Sequence, residues 1–223
     1  VFYWPLFFVA VVGLVWLIDT STSPSRCAAL GWSFGFGYFI FGLYWLSISF
    51  QSQAEMPVWL GYVAVAVLGA VLALYQALAF WASHRFWSDS PARVLTLAAF
   101  WGIAEWLRGH LFTGFPWNGP SQIWADTPPI MQLARLFGAY GLSFLTIAVA
   151  GCFALLADRS RSAYFSLASA ALLVGAALTD GAIRLSSVST TNGPLLRVHL
   201  VQADIHQQIK HDPAVQSAML ERY

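Results

Sequence analysis

Long apolar runs, more than any motif, limit what this chain can become. Six of them follow one another before Thr179: Val1–Ile18, Cys27–Phe50, Pro57–Ser83, Val94–Leu107, Ala139–Ala157 and Ala163–Thr179. At 1.5 Å per residue, about 20 residues of helix cross a bilayer core of about 30 Å. Lipid offers backbone groups no hydrogen bonds, so apolar runs of this length are expected to close their bonds internally as helices. Composition agrees: 9% of residues are charged and mean hydropathy is +0.64, where soluble domains carry about 25% charged residues. The eleven Trp, eight Tyr and seventeen Phe suit the aromatic belts found at headgroup depth. With a net charge of +1 and no basic run, nothing points to a nucleic-acid partner.

Arginine placement orients the runs. The connections after the first, third and fifth hold Arg26, then Arg85 and Arg93, then Arg159 and Arg161, whereas "QSQAEMP" after the second holds none. The positive-inside rule puts the odd connections in the cytoplasm, with both ends of the chain and the long connection after the fourth run outside. In the second run, Gly31 and Gly35 form a small-xxx-small pair, continued by Gly37 and Gly42. That pattern admits a close helix neighbour or room for a lipid tail.

Beyond Thr179 the character changes. Residues 181–194 are polar and turn-rich and read as a linker. "LLRVHLV" (195–201) alternates apolar and polar residues and is expected as a strand. Asp212 and Pro213 then suit a helix N-cap and N1. The chain starts at Val1 inside an apolar run without a basic leader, and stops at Tyr223 within an amphipathic pattern. It therefore reads as a piece of a longer protein: a membrane domain over 1–180, a linker over 181–194, and over 195–223 the start of a soluble outer domain.

One stretch is out of character, "EWLRGHLFTGFPWNGPSQ" (105–122). Glu105 and Arg108 lie three apart and so share a helix face. They form either an interfacial ion pair or a site in which the planar guanidinium of Arg108 grips a phosphate or carboxylate. Ionisable groups at membrane depth are costly, which draws attention to both. The Gly- and Pro-rich loop that follows, with Phe115 and Trp117, is either an aromatic anchor or a lip over a lipid-filled groove. "PIMQLARLFG" (129–138) reads as a short helix lying along the surface. Other chemistry is missing from the sequence: it contains no GxSxG, HExxH, CxxC or phosphate loop. His206 and His211 are poorly spaced for a metal, Lys210 sits in a polar context, and Cys27 and Cys152 lie in apolar runs as packing residues. No metal is expected.

Three stretches carry a family likeness: "GWSFGFGYFIFGLYWLSIS" (31–49), "EWLRGHLFTGFPWNGPSQ" with "PIMQLARLFGAYGLSFL" (105–145), and "LRVHLVQADIHQQIKHD" (196–212). Together they resemble the apolipoprotein N-acyltransferases of the bacterial inner membrane. The resemblance implies an all-α polytopic membrane bundle, with about six transmembrane helices in this stretch, followed by the start of an α-β-β-α nitrilase-like domain on the periplasmic side. It also implies acyl transfer from a phospholipid such as phosphatidylethanolamine, through a cysteine thioester, to the α-amino group of a diacylglyceryl-cysteine at a lipoprotein N-terminus. A glutamate base and an oxyanion-binding lysine would assist, and no cofactor would be needed. No residue here matches those motifs: Glu221, Lys210, Cys27 and Cys152 fall elsewhere in the pattern, and the catalytic residues are expected beyond Tyr223. The lipid-handling candidates are Arg108, Glu105, Phe115 and Trp117. Rival readings are a non-catalytic membrane scaffold and a small transporter, which would want polar residues or broken helices at midplane.

Overall fold

A computed structural model of the chain describes residues 4–51, 57–187 and 198–200. All regular structure among them is helical. The described parts of the expected apolar runs are mainly helical, the second being broken at Tyr44–Trp45 and the fifth ending in a 3-10 stretch. Three helical stretches are long and apolar enough to cross a membrane: Val58–Arg85, Ala134–Asp158 and Arg161–Ser187.

Helix α1, Trp4–Asp19, buries Phe7, Val11, Leu14, Val15 and Ile18 along one face, the 3.6-residue stripe expected of a helix packed on one side. Helix α2, Pro24–Leu43, starts at an N-cap in which the Ser23 hydroxyl accepts from the Arg26 N–H at 3.4 Å, with Pro24 at N1. Its buried residues, Cys27, Gly31, Gly35, Phe39 and Leu43, recur every four positions. They meet α4, Val58–Arg85, whose buried stripe includes Gly69, Ala73, Gln76 and Phe80. The approach is tight enough that a Cβ on Gly31 would lie 2.6 Å from the Gln76 carbonyl oxygen, and one on Gly35 2.9 Å from Gln76 Cγ. The small residues of α2 therefore serve helix contact, the route to affinity between helices that share an apolar solvent.

The second apolar run is not one helix. It breaks at Tyr44–Trp45 and resumes as α3, Leu46–Gln51. The Tyr44 carbonyl is taken by the Ser47 N–H at 3.0 Å and the Ser47 hydroxyl at 2.7 Å, a tight i to i+3 turn that ends the regular ladder.

Helix α5, Arg93–His110, is less apolar because it carries Arg93, Glu105 and Arg108. Arg93, only 4% exposed, joins Asp19 at 3.1 Å and Asp158 at 2.7 Å. One guanidinium thus ties the end of α1 and the connection before α8 to the start of α5. The connections after α1, after α4 and before α8 meet at one end of the bundle, where His84 contacts the Ser21 carbonyl, Trp87 donates to Asp19 and Arg93 joins Asp19 and Asp158. At the bundle's centre the fully buried Trp101 meets Phe34, Phe80 and Phe7 with ring centroids 5.5, 5.6 and 6.1 Å away.

After α5 the chain forms a loop, a 3-10 turn over Pro120–Trp124, and a single turn of helix, α6, Pro128–Met131. Helix α7, Ala134–Cys152, contains a sharp bend where Gly138 adopts φ 64° and ψ −177°, a conformation suited to glycine. The stretch expected as one surface helix over 129–138 is therefore split between α6 and the first turn of α7, with Ile130 buried and Phe137 exposed. A 3-10 stretch, Phe153–Asp158, leads to α8, Arg161–Ser187.

Helix α8 corrects one boundary. It runs through Thr179 to Ser187, so the first seven residues of the expected linker, 181–187, are helix. Tertiary contacts account for this: Asp180 pairs with Arg135 at 2.7 Å, and buried Gly181 lies against the carbonyl of Pro129. Of the strand expected over 195–201, residues 198–200 have no regular structure. The rest of it, the later part of the linker and the helix expected from Pro213 lie outside the described residues.

Candidate functional site

The site is a polar knot at the end of the bundle opposite Arg93. It begins with spacing: Glu105 and Arg108, one turn from the end of α5, project on the face turned toward α2 and α4. Glu105 is 2% exposed and Arg108 1%, so the pair is an interior feature and not a rim. Nη2 of Arg108 donates to Oε2 of Glu105. The other carboxylate oxygen accepts from Nε2 of Gln76 on α4 at 3.0 Å. Nη1 of Arg108 donates to two loop carbonyls, that of Phe115 and, at 2.7 Å, that of Trp117. Its Cζ lies 5.1 Å from the ring centre of Phe39 on α2, within reach of a cation–π attraction. A buried carboxylate and guanidinium are tolerable only with such partners.

The loop 111–119 is folded onto this knot. The Phe115 N–H returns to the Arg108 carbonyl at 2.8 Å, and the Gly114 N–H to that of Leu111 at 2.9 Å. Phe112, Gly114 and Asn118 have φ of 56°, 73° and 57°, the left-handed region that Gly and Asn accept most readily. On α2, the Tyr38 hydroxyl donates to the Asn118 carbonyl at 2.8 Å. Downstream, the Ser121 N–H reaches the Ser143 hydroxyl at 3.1 Å, and Trp124 Nε1 donates to Thr146 Oγ1 at 2.8 Å, which anchors the turn to α7. The backbone is thus held from α2, α5 and α7, while its apolar side chains divide. Phe115 is half-buried against the cluster of Phe39, Leu43, Val65 and Leu72. Trp117 is exposed, 5.6 Å from Trp45, and Phe112 is 97% exposed.

Of the two readings that the sequence leaves open for Glu105 and Arg108, the geometry shows the ion pair. Arg108 and Glu105 do pair, but the reading of Arg108 as an open grip for a phosphate meets a side chain with almost no surface. Both Nη1 bonds go to loop carbonyls and Nη2 goes to the carboxylate. The remaining guanidinium nitrogen, Nε, is buried without a hydrogen-bond partner. Arg108 clamps the loop, which leaves Phe112 and Trp117 exposed. The sequence reading missed Gln76 as the third member of the knot and Tyr38 as the loop's second anchor. Gln76 had a signal: an amide inside an otherwise apolar helix needs a partner. Tyr38 had none, being one aromatic among many.

Elsewhere the candidates stay apart. Cys27 is buried in the core and Cys152 is half-buried. Among the described residues no three His, Cys, Asp or Glu side chains group as a metal site. Lys210, His206, His211 and Glu221 lie outside the described residues.

Residues 1–152 match the profile of the apolipoprotein N-acyltransferase N-terminal domain. Curated relatives named apolipoprotein N-acyltransferase align over nearly all of this chain. The one from Rhodopseudomonas palustris is 35% identical over 99% of the chain and 42% of its own length. That from Allorhizobium ampelinum is 39% identical over 94% of the chain and 41% of its own length, and that from Bradyrhizobium diazoefficiens 37% over 98% and 42%. The chain spans about two fifths of the length of the relatives it matches. A profile match over more than half the chain, joined to this level of identity along its whole length, places it by descent: the chain belongs to the apolipoprotein N-acyltransferase family.

Proposed function

We propose that this chain is the membrane-embedded, lipid-handling part of an enzyme that moves an acyl chain from a phospholipid to the N-terminal amine of a diacylglyceryl-cysteine on an apolipoprotein. The observation that carries the proposal is the relatives' shared name, at 35–39% identity over 94–99% of the chain. Two structural features support a role in lipid handling. The helices are apolar on their outer as well as their inner faces, with Phe41, Leu74 and Phe165 among many exposed. The knot on α5 holds a loop that presents Phe112 and Trp117 outward. We read the bundle as six membrane-crossing helices in a bacterial inner membrane, the arginine-bearing end in the cytoplasm, and the 111–119 loop and both chain ends on the periplasmic side. Residues 195–223 are read as the start of a nitrilase-like domain, and the donor as a phosphatidylethanolamine-like lipid. Within residues 1–223 we assign no bond-making role: the family's glutamate, lysine and cysteine motifs have no match here.

A chimaera tests this. Residues 1–223 replace the aligned segment of the Rhodopseudomonas palustris relative, which is produced in cells depleted of their own N-acyltransferase. The expected result is restored growth and N-acylated lipoprotein, while residues 1–223 alone restore neither. A stably expressed chimaera that fails, when the unaltered relative succeeds, overturns the proposal.

A further inference from the structure

Two segments close the end of the bundle that holds Arg108, and they are fastened in opposite ways. The 111–119 loop is clamped by a buried guanidinium. Residues 128–137, which are α6 and the first turn of α7, have no such clamp, and Ile130 is the only one of them that is buried. Their backbone bonds stay local: the Met131 N–H returns to the Thr127 carbonyl, that of Gln132 to Pro128 and Pro129, and that of Phe137 to Leu133. Among the described residues their side chains make one hydrogen bond to another element. It runs from Arg135 to Asp180 on α8 at 2.7 Å, with side chains 35% and 47% exposed.

Both ends of this segment leave helical geometry. Thr127, with φ −127° and ψ 73°, precedes the prolines that start α6. Gly138 has φ 64° and ψ −177°, a combination that belongs almost wholly to glycine. A Cβ on Gly138 would meet nothing within 4 Å, so the bend sits in open space. Between the two points, fixed proline φ angles and local bonds keep the segment stiff; at them it can turn, as hinged elements do. Beneath it, Ile130 and Leu133 face Trp124, Leu142, Val174 and Ala177 across a gap of about 20 Å³. Atoms lining such a gap forgo part of their dispersion contact. On α8 the segment rests against Gly181, whose lack of a side chain lets the Pro129 carbonyl close in.

We propose that residues 128–137 are a lid, hinged at Thr127 and Gly138 and latched by Arg135 and Asp180. Shut, it covers Leu142 and Ala177. Open, it connects the surface with the cavity of about 910 Å³ between α1, α7 and α8, which shares Trp124, Ile130 and Val174 with the gap under the lid. The latch suits a moving part. An exposed ion pair is held weakly and is screened by salt, and one buried side chain adds little, so the lid lifts without unfolding the bundle. Glu105 and Arg108 could not serve this way, because parting them strands a buried charge. The lid does not depend on acyl transfer, so its absence would leave the chimaera result untouched.

The test times the reaction of single thiols in the purified chain, held in an uncharged maltoside detergent, with a neutral, water-soluble maleimide. One form carries Ala177→Cys under the lid, with Cys27→Ala and Cys152→Ala. A second form, Cys152→Ala, keeps only Cys27, which is buried in the core away from the lid. Asp180→Asn and Arg135→Gln should each speed labelling of the Ala177→Cys form about two- to fivefold, or about 0.4–1 kcal/mol. The exchange Arg135→Asp with Asp180→Arg should restore the slow rate. Salt at about 1 M should speed the latched chain and leave Asp180→Asn as it is. Gly138→Ala should also speed labelling, because alanine cannot hold the shut bend without strain. Cys27 should keep its rate throughout. A rate at Ala177→Cys that ignores both the latch substitutions and salt overturns the proposal. So does a rise there that Cys27 matches, since that is loosening of the whole bundle.

Discussion

Substituting Arg108 should cost far more than substituting Arg135, although both form ion pairs at the same end of the bundle. Arg108→Ala leaves the Glu105 carboxylate buried with Gln76 as its remaining hydrogen-bond partner, and strips the Phe115 and Trp117 carbonyls of their donor. Removing one member of a buried pair typically costs about 3–5 kcal/mol. A chain of this size loses about 2–4 °C of midpoint per kcal/mol, so the drop should be about 6–20 °C. Arg135→Ala removes a pair that is 35% and 47% exposed, worth about 0–1 kcal/mol, or about 0–4 °C. The assay is heat-induced aggregation of a fluorescently tagged chain in maltoside detergent, with limited proteolysis of the 111–119 loop alongside. The loop should become cleavable in Arg108→Ala and stay protected in Arg135→Ala. A double change, Glu105→Leu with Arg108→Met, should cost no more than the costlier single change, because it leaves no stranded charge. Equal, small shifts for Arg108→Ala and Arg135→Ala would refute the burial argument. Additive losses in the double variant would refute the pairing.

Two further predictions follow from the packing and the orientation. Gly31→Ala places a Cβ 2.6 Å from the Gln76 carbonyl oxygen, so α2 and α4 must separate; overpacking of this kind costs about 1–3 kcal/mol and should lower the same midpoint, whereas Gly37→Ala, which meets nothing within 4 Å, should leave it in place. For orientation, Thr113→Cys should react with a membrane-impermeant thiol reagent added to intact spheroplasts and Ser162→Cys should not, and the opposite pattern would invert the assigned topology.

The helices were legible because their signal is local: an apolar run with few charges reads as a helix whatever surrounds it. The shared face of Glu105 and Arg108 was legible for the same reason, since spacing fixes it. Their burial was not. That depends on α2 and α4 arriving with Phe39 and Gln76, and on a loop with three left-handed residues folding back over the guanidinium. The interruptions were also hidden. The break at Tyr44–Trp45 comes from a Ser47 side chain competing for a backbone carbonyl, and the bend at Gly138 from a conformation that any of the neighbouring glycines could have adopted. Helix α8 outran its apolar stretch because Asp180 and Gly181 are used in contacts with Arg135 and Pro129. A composition window counts such residues as loop formers.

The Arg93 junction has a consequence for the order in which the bundle is made. Asp19 precedes Arg93 in the chain, while Asp158 follows it by 65 residues. At synthesis rates of about 5–20 residues per second, Arg93 waits about 3–13 s for its second carboxylate. During that interval α1, α2, α4 and α5 are present, yet their charged end is held from one side. The chain that completes the lock is the same one that delivers α7. Closure of that end thus comes late, when the Phe153–Asp158 turn that follows α7 brings the second carboxylate to Arg93.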